Sequence, residues 1–141
     1  MMQNLKPILL IEDDDVDVMT VNRALRDSEV ANELVSMSDG EEAIEHLRDE
    51  SAEKPSIILL DLNMPKMDGV EFLKIVKADK ALNKIPVVIL TTSNSDRDVI
   101  KSFELGAAGY MVKSVDYEKF VETIRAIDRY WTLSKLPSNG E

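Results

Sequence analysis

The chain has 141 residues, 44% hydrophobic and 31% charged, the make-up of one ordinary globular domain with enough length to bury a core unaided. It has no cysteine, which excludes disulfides and thiolate metal sites, and 27 acidic against 17 basic residues leave a formal charge of −10 that opposes binding to a phosphate backbone. The opening "MMQNLKP" lacks the charged and apolar regions of a signal peptide, and no apolar run nears the ~20 residues of a membrane span, so a cytoplasmic protein that binds neither membrane nor nucleic acid is expected.

In chain order, short apolar runs alternate with segments of helical period. "ILLI" (8–11) predicts a buried strand, followed by a helix from about Asp15 with Val18, Val21 or Asn22, and Leu25 in phase. "ELVSM" (33–37) is a weaker strand, and "DGEEAIEHL" is a short helix with Ala43, Ile44 and Leu47 inward. "IILLDL" (57–62) is a second apolar run, and "VEFLKIVKA" a helix with Leu73 and Val76 inward. "VVILT" (87–91) leads into a helix carrying Val99, Ile100 and Phe103. "GYMV" (109–112) is a short fifth strand, and "DYEKFVETIRAIDRYW" a helix with Phe120, Ile124, Ile127 and Trp131 at helical spacing. Solid apolar strands alternating with helices predict an α/β fold, a five-stranded parallel sheet covered by helices on both faces. No linker or repeat divides it, and 132–141 reads as a short C-terminal tail.

The run "EDDD" (12–15) places four carboxylates directly after an apolar strand. Like charges so close repel, which calls for a positive partner. In an open parallel sheet, function gathers at the carboxyl ends of the strands. Those ends carry Glu12, Asp13 and Asp14, then Asp61 with Asn63, then Thr91, then Lys113. If the first and third strands are neighbours, Asp13 and Asp61 face each other. Such carboxylates plus a backbone carbonyl suit a hard divalent cation such as Mg²⁺. Lysine and threonine opposite them suit a tetrahedral oxyanion. Asp15 is expected to be a helix N-cap, and His46 a surface residue.

Four pieces, "IEDD", "LLDLNMPKMDG", "VVILTTS" and "GAAGYMVKS", stand in the order and spacing of the response-regulator receiver domain, and residues 6–131 resemble it. The "KADKALNKIPVVILTTSNSDRDV" segment and the "DRYWTL" ending are similar to stand-alone regulators that partner phytochrome-type sensor kinases. The resemblance implies a flavodoxin-like sheet in the order 2-1-3-4-5. It implies that Asp61 is the phosphoacceptor, taking a phosphoryl group from a histidine kinase or phosphotransfer domain without turning over a separate substrate. It implies Mg²⁺, with Mn²⁺ able to substitute, on Asp13, Asp61, the Asn63 carbonyl and, through water, Glu12. Thr91 and Lys113 would contact the phosphoryl oxygens, and Tyr110 would be a rotameric switch. The readout would be the face of the fourth helix, fifth strand and fifth helix, docking a downstream protein or forming a homodimer, with Trp131, Leu133 and Leu136 either joining it or folding back.

Two rivals fit less well. A dehalogenase-type aspartyl enzyme wants a second Asp where Asn63 stands, and a flavodoxin-like cofactor binder wants a glycine- or hydroxyl-rich first loop, not carboxylates. A phosphorylation-independent pseudo-receiver remains the alternative. It is kept open by Ser114, because receivers usually follow the lysine with a proline whose peptide bond is cis. A cis bond before serine costs ~2.5–4 kcal/mol, more than the ~1.5–3 kcal/mol of a charge-assisted hydrogen bond. A trans Lys113–Ser114 bond is therefore expected, with the lysine still reaching Asp61.

Overall fold

The computed structural model describes residues 6–64 and 66–133. Its elements follow the predicted alternation: β1 (Ile8–Ile11), α1 (Asp15–Asp27), β2 (Leu34–Met37), α2 (Gly40–Arg48), β3 (Ile57–Leu60), α3 (Gly69–Ala78), β4 (Val87–Thr91), α4 (Asp96–Glu104), β5 (Gly109–Val112) and α5 (Tyr117–Leu133). The five strands pair in parallel in the order β2-β1-β3-β4-β5. This is the strand order that the resemblance implies.

Apart from Thr91 at the end of β4, each central strand is apolar because it has a helix layer on either side, and successive side chains point to opposite layers. Leu9, Ile11, Ile58, Leu60, Val87 and Ile89 pack with α2 and α3, against Leu47, Phe72, Leu73 and Val76. Ile8, Leu10, Ile57, Leu59, Val88 and Leu90 pack with α1 and α5, against Val21, Leu25, Phe120 and Ile124. Each such side chain contributes roughly 1.5–3 kcal/mol by leaving water. The edge strands β2 and β5 are only partly buried, which is why their sequences are less uniformly apolar.

Register carries the strand ends to one place. Ile11 pairs with Leu60, Leu60 with Ile89, and Thr91 with Val112. The residues that follow these positions therefore emerge together at the carboxyl edge of the sheet.

The structure revises one expectation and specifies two points that the sequence left open. The N-cap of α1 is Asp14, not Asp15: its side chain accepts from the backbone N–H groups of Val16 (2.8 Å) and Asp17 (3.3 Å). Any carboxylate of the run could cap, and the choice falls where β1 leaves the sheet. In α4 only Ser102 is buried, while Ile100 and Phe103 are 58% and 50% exposed, so its apolar residues form a surface rather than a core stripe. Trp131 packs against the α1–α5 side of its own core, and α5 continues to Leu133. Leu136, and the side chain of Leu133, lie outside the described residues.

Candidate functional site

Glu12 follows β1 immediately and is buried; its Oε2 accepts from the backbone N–H of Asp14 at 3.2 Å. Asp13 next to it is exposed. Asp61 follows β3 and is also buried, its backbone N–H donating to the Ile11 carbonyl at 3.1 Å, so the sheet ladder itself fixes it beside the end of β1. Glu12, Asp13 and Asp61 can each offer an oxygen such that all three lie within 4.8 Å of one another. Carboxylate donors at this density suit a hard divalent cation that keeps part of its water shell.

Lys113, just past β5, supplies the positive partner. Its ammonium donates to Glu12 Oε1 at 2.5 Å, to Asp17 Oδ2 at 2.9 Å and to Asp61 Oδ2 at 3.4 Å. The described peptide bonds are all trans, Lys113–Ser114 included, and the four-carbon stem still reaches the site. Burial pushes the Glu12 carboxyl up to about 7, and the repulsion of Asp61 adds to this against the pull of Lys113. Desolvation works to lower the Lys113 ammonium, but hydrogen bonds to Glu12 and Asp17 and the charges of Asp61 and Glu12 outweigh it and hold it above the usual lysine value.

Thr91 is fully buried at the end of β4, next to β3. Its carbonyl accepts from the Lys113 backbone N–H at 2.7 Å, and its hydroxyl accepts from the Ser93 N–H at 3.4 Å. The half-buried Tyr110 donates its hydroxyl to the Ser93 carbonyl at 2.9 Å. Ser93 in turn donates to Asp98 Oδ2 in the first turn of α4. Asn63 is exposed, and its backbone N–H donates to Asp61 Oδ1 at 3.2 Å. Glu12, Asp13, Asp61 and Lys113 thus converge, Asn63 joins through its backbone N–H to Asp61, Thr91 through its carbonyl to the Lys113 N–H, and Tyr110 through Ser93.

Sequence reasoning missed two contributors. Asp17, beyond the 12–15 run, draws no notice in the sequence, though it holds Lys113. No local signal pairs residues 96 positions apart. Gly69 likewise draws no separate notice in the sequence. A Cβ there would lie 2.7 Å from both the Asp61 carbonyl oxygen and the Leu62 Cα, and the Gly69 N–H donates to the Leu62 carbonyl at 3.0 Å. Only glycine lets α3 start this close to the backbone that carries Asp61. The "DG" pair at 68–69 was its trace in the sequence.

The chain matches the family model of the response regulator receiver domain over residues 8–125. It is 39% identical to the response regulator Rcp1 of Synechocystis over 130 residues, covering 89% of this chain and 88% of that protein. Among solved structures, the phosphorylated cyanobacterial phytochrome response regulator RcpA superposes with a TM-score of 0.89 at 38% identity, covering 96% of this chain and 100% of that one. The Mn²⁺-bound form of Rcp1 superposes with a TM-score of 0.85 at 38% identity, covering 94% and 99%. A family match over most of the chain, and relatives aligned along nearly their whole length, mean that this chain belongs to the response-regulator receiver domain family.

Proposed function

We propose that this chain is a response-regulator receiver in which Asp61 accepts a phosphoryl group from a phosphohistidine of a sensor kinase or phosphotransfer domain. The observation that carries the reading is the setting of Asp61, a buried carboxylate with the Lys113 ammonium 3.4 Å away and two further carboxylates alongside. An Asp61 oxygen attacks phosphorus, the P–N bond breaks, and the imidazole leaves with its electron pair. Water later cleaves the acyl phosphate and restores the carboxylate. Such transfer depends on positioning and charge neutralisation more than on covalent help from the protein.

Asp13, Asp61 and the Asn63 carbonyl would hold Mg²⁺ or Mn²⁺ directly, and Glu12 through water. Bound there, the cation would supply charge that neutralises the phosphoryl oxygens. The Mn²⁺-bound structure of Rcp1 and the three clustered carboxylates support this. Lys113 donates to one phosphoryl oxygen and the Thr91 hydroxyl to another. Because Tyr110 is tied to Ser93, two residues past Thr91, drawing Thr91 toward the phosphoryl group is transmitted to Tyr110.

The readout is docking. Ile100, Phe103, Val112 and Tyr130 are exposed large side chains on α4, β5 and α5, a face suited to a downstream protein or a second copy. On this reading residues 6–131 are the receiver unit and the protein works in the cytoplasm. The phytochrome association of RcpA supports a kinase of that type as donor. Intact mass after acetyl phosphate and Mg²⁺ tests the reading. Wild type gains one phosphoryl group, and neither EDTA-treated protein nor Asp61→Asn does. A stoichiometric phosphate persisting on Asp61→Asn would contradict it.

A further inference from the structure

Lys113 is held by a carboxylate that is neither in the cation cluster nor the phosphoacceptor. An ammonium has three N–H donors. Two make close bonds on the α1 side, to Glu12 at 2.5 Å and Asp17 at 2.9 Å, while the contact to Asp61 is long at 3.4 Å. Glu12, Asp13 and Asp61 form the cluster within 4.8 Å. Asp17 stands outside it, half-exposed on the first turn of α1.

The segment after Lys113 gives such a tether a purpose. Ser114 does not restrict the backbone as a proline would, and Val115 is fully exposed. The segment is next tied to α1 at Tyr117. Its hydroxyl donates to Asp27 Oδ2 at 2.6 Å, and its ring lies 4.1 Å from the Arg23 guanidinium. Residues 113–117 therefore bridge α1 with one anchor at Asp17 and the other at Arg23 and Asp27.

We propose that Asp17 is a positioning residue for phosphoryl transfer: with Glu12 it orients the Lys113 ammonium so that the third N–H faces the phosphoryl group on Asp61. This rests on the phosphoacceptor reading above. The long resting contact to Asp61 marks the donor that a phosphoryl oxygen takes over, while the two short bonds persist. Without Asp17 the ammonium pivots about Glu12 alone, and the donor is in place for fewer encounters.

The test is the rate of phosphoryl uptake from acetyl phosphate at saturating Mg²⁺, followed by intact mass. Asp17→Asn is expected to slow uptake about tenfold, the effect of losing one part-exposed charge-assisted hydrogen bond. Asp15→Asn removes the same charge from the same turn but breaks no ion pair with Lys113, and should stay within about twofold of wild type. In a Lys113→Met background, Asp17→Asn should add nothing, because the two act as one unit. Three results would overturn the proposal: wild-type rate in Asp17→Asn, equal slowing by Asp15→Asn, or full slowing without Lys113. If wild type itself takes up no phosphoryl group, the phosphoacceptor reading falls and this inference with it.

Discussion

Replacing Gly69 by alanine tests how closely the start of α3 governs Asp61. The added Cβ would sit 2.7 Å from the Asp61 carbonyl oxygen and 2.7 Å from the Leu62 Cα, where carbon contacts prefer ~3.5 Å or more. Both neighbours are backbone, so α3 and the strand end must separate by well over ~0.5 Å. Overpacking of this kind costs about 1–3 kcal/mol, and the small helix-propensity gain of alanine, below ~1 kcal/mol, does not offset it. At this chain length the melting temperature should fall by roughly 5–10 °C. Moving Asp61 relative to Lys113 should also slow phosphoryl uptake, since ~1 Å of misplacement can cost as much as 10²-fold. Gly109→Ala is the control, because its Cβ would meet only Val88 methyls at 3.6 and 3.7 Å. The assays are thermal melts by circular dichroism and uptake from acetyl phosphate. If Gly69→Ala melts and reacts like Gly109→Ala, the close approach does not hold Asp61 in place.

Asp13→Ala should weaken Mg²⁺ binding by about tenfold or more through loss of a direct ligand, while Asp15→Ala stays within about twofold. Calorimetry is the method, because Trp131 packs beside Ile8 and Ile57 at the end of the sheet opposite the cation cluster. The raised Glu12 carboxyl makes Mg²⁺ affinity depend on pH. The metal-free fold keeps that proton up to about pH 7, whereas an unperturbed glutamate gives it up near 4.5, so metal-free stability falls as pH rises between the two. Mg²⁺ binding displaces the proton and should tighten, by up to roughly tenfold per unit, as pH rises toward 7. Equal affinity in calorimetry at pH 5.5 and 7.5 would contradict this. Asp14→Ala should cost ~1 kcal/mol in urea unfolding through loss of the α1 cap, and Asp15→Ala much less.

Legibility from sequence followed burial. β1, β3 and β4 are buried on both faces and read as solid apolar runs, while β2 and β5 gave weak signals because each has one free edge. The α4 helix was legible but its facing was not: Ile100 and Phe103 stand at helical spacing, and spacing cannot say whether a stripe faces core or solvent. The site residues at strand ends were legible because topology alone gathers such ends at one edge of the sheet. Asp14 and Asp15 could not be separated as caps because adjacent aspartates suit an N-cap equally well and the run gives no further local signal. Asp17 was hidden because its partner belongs to another βα unit. Gly69 shows in the sequence only as the second residue of a "DG" pair, and the backbone it must clear is fixed by tertiary packing.

Reductive trapping tests the central claim most directly. Wild-type protein treated with acetyl phosphate and Mg²⁺ is reduced with borohydride, which converts an aspartyl phosphate to homoserine, and peptide mass mapping locates the product. Asp61 held against Lys113 and the two neighbouring carboxylates should be the converted position. Conversion at Asp13 or elsewhere, or none under conditions that leave the protein folded, would contradict the assignment of Asp61 as phosphoacceptor.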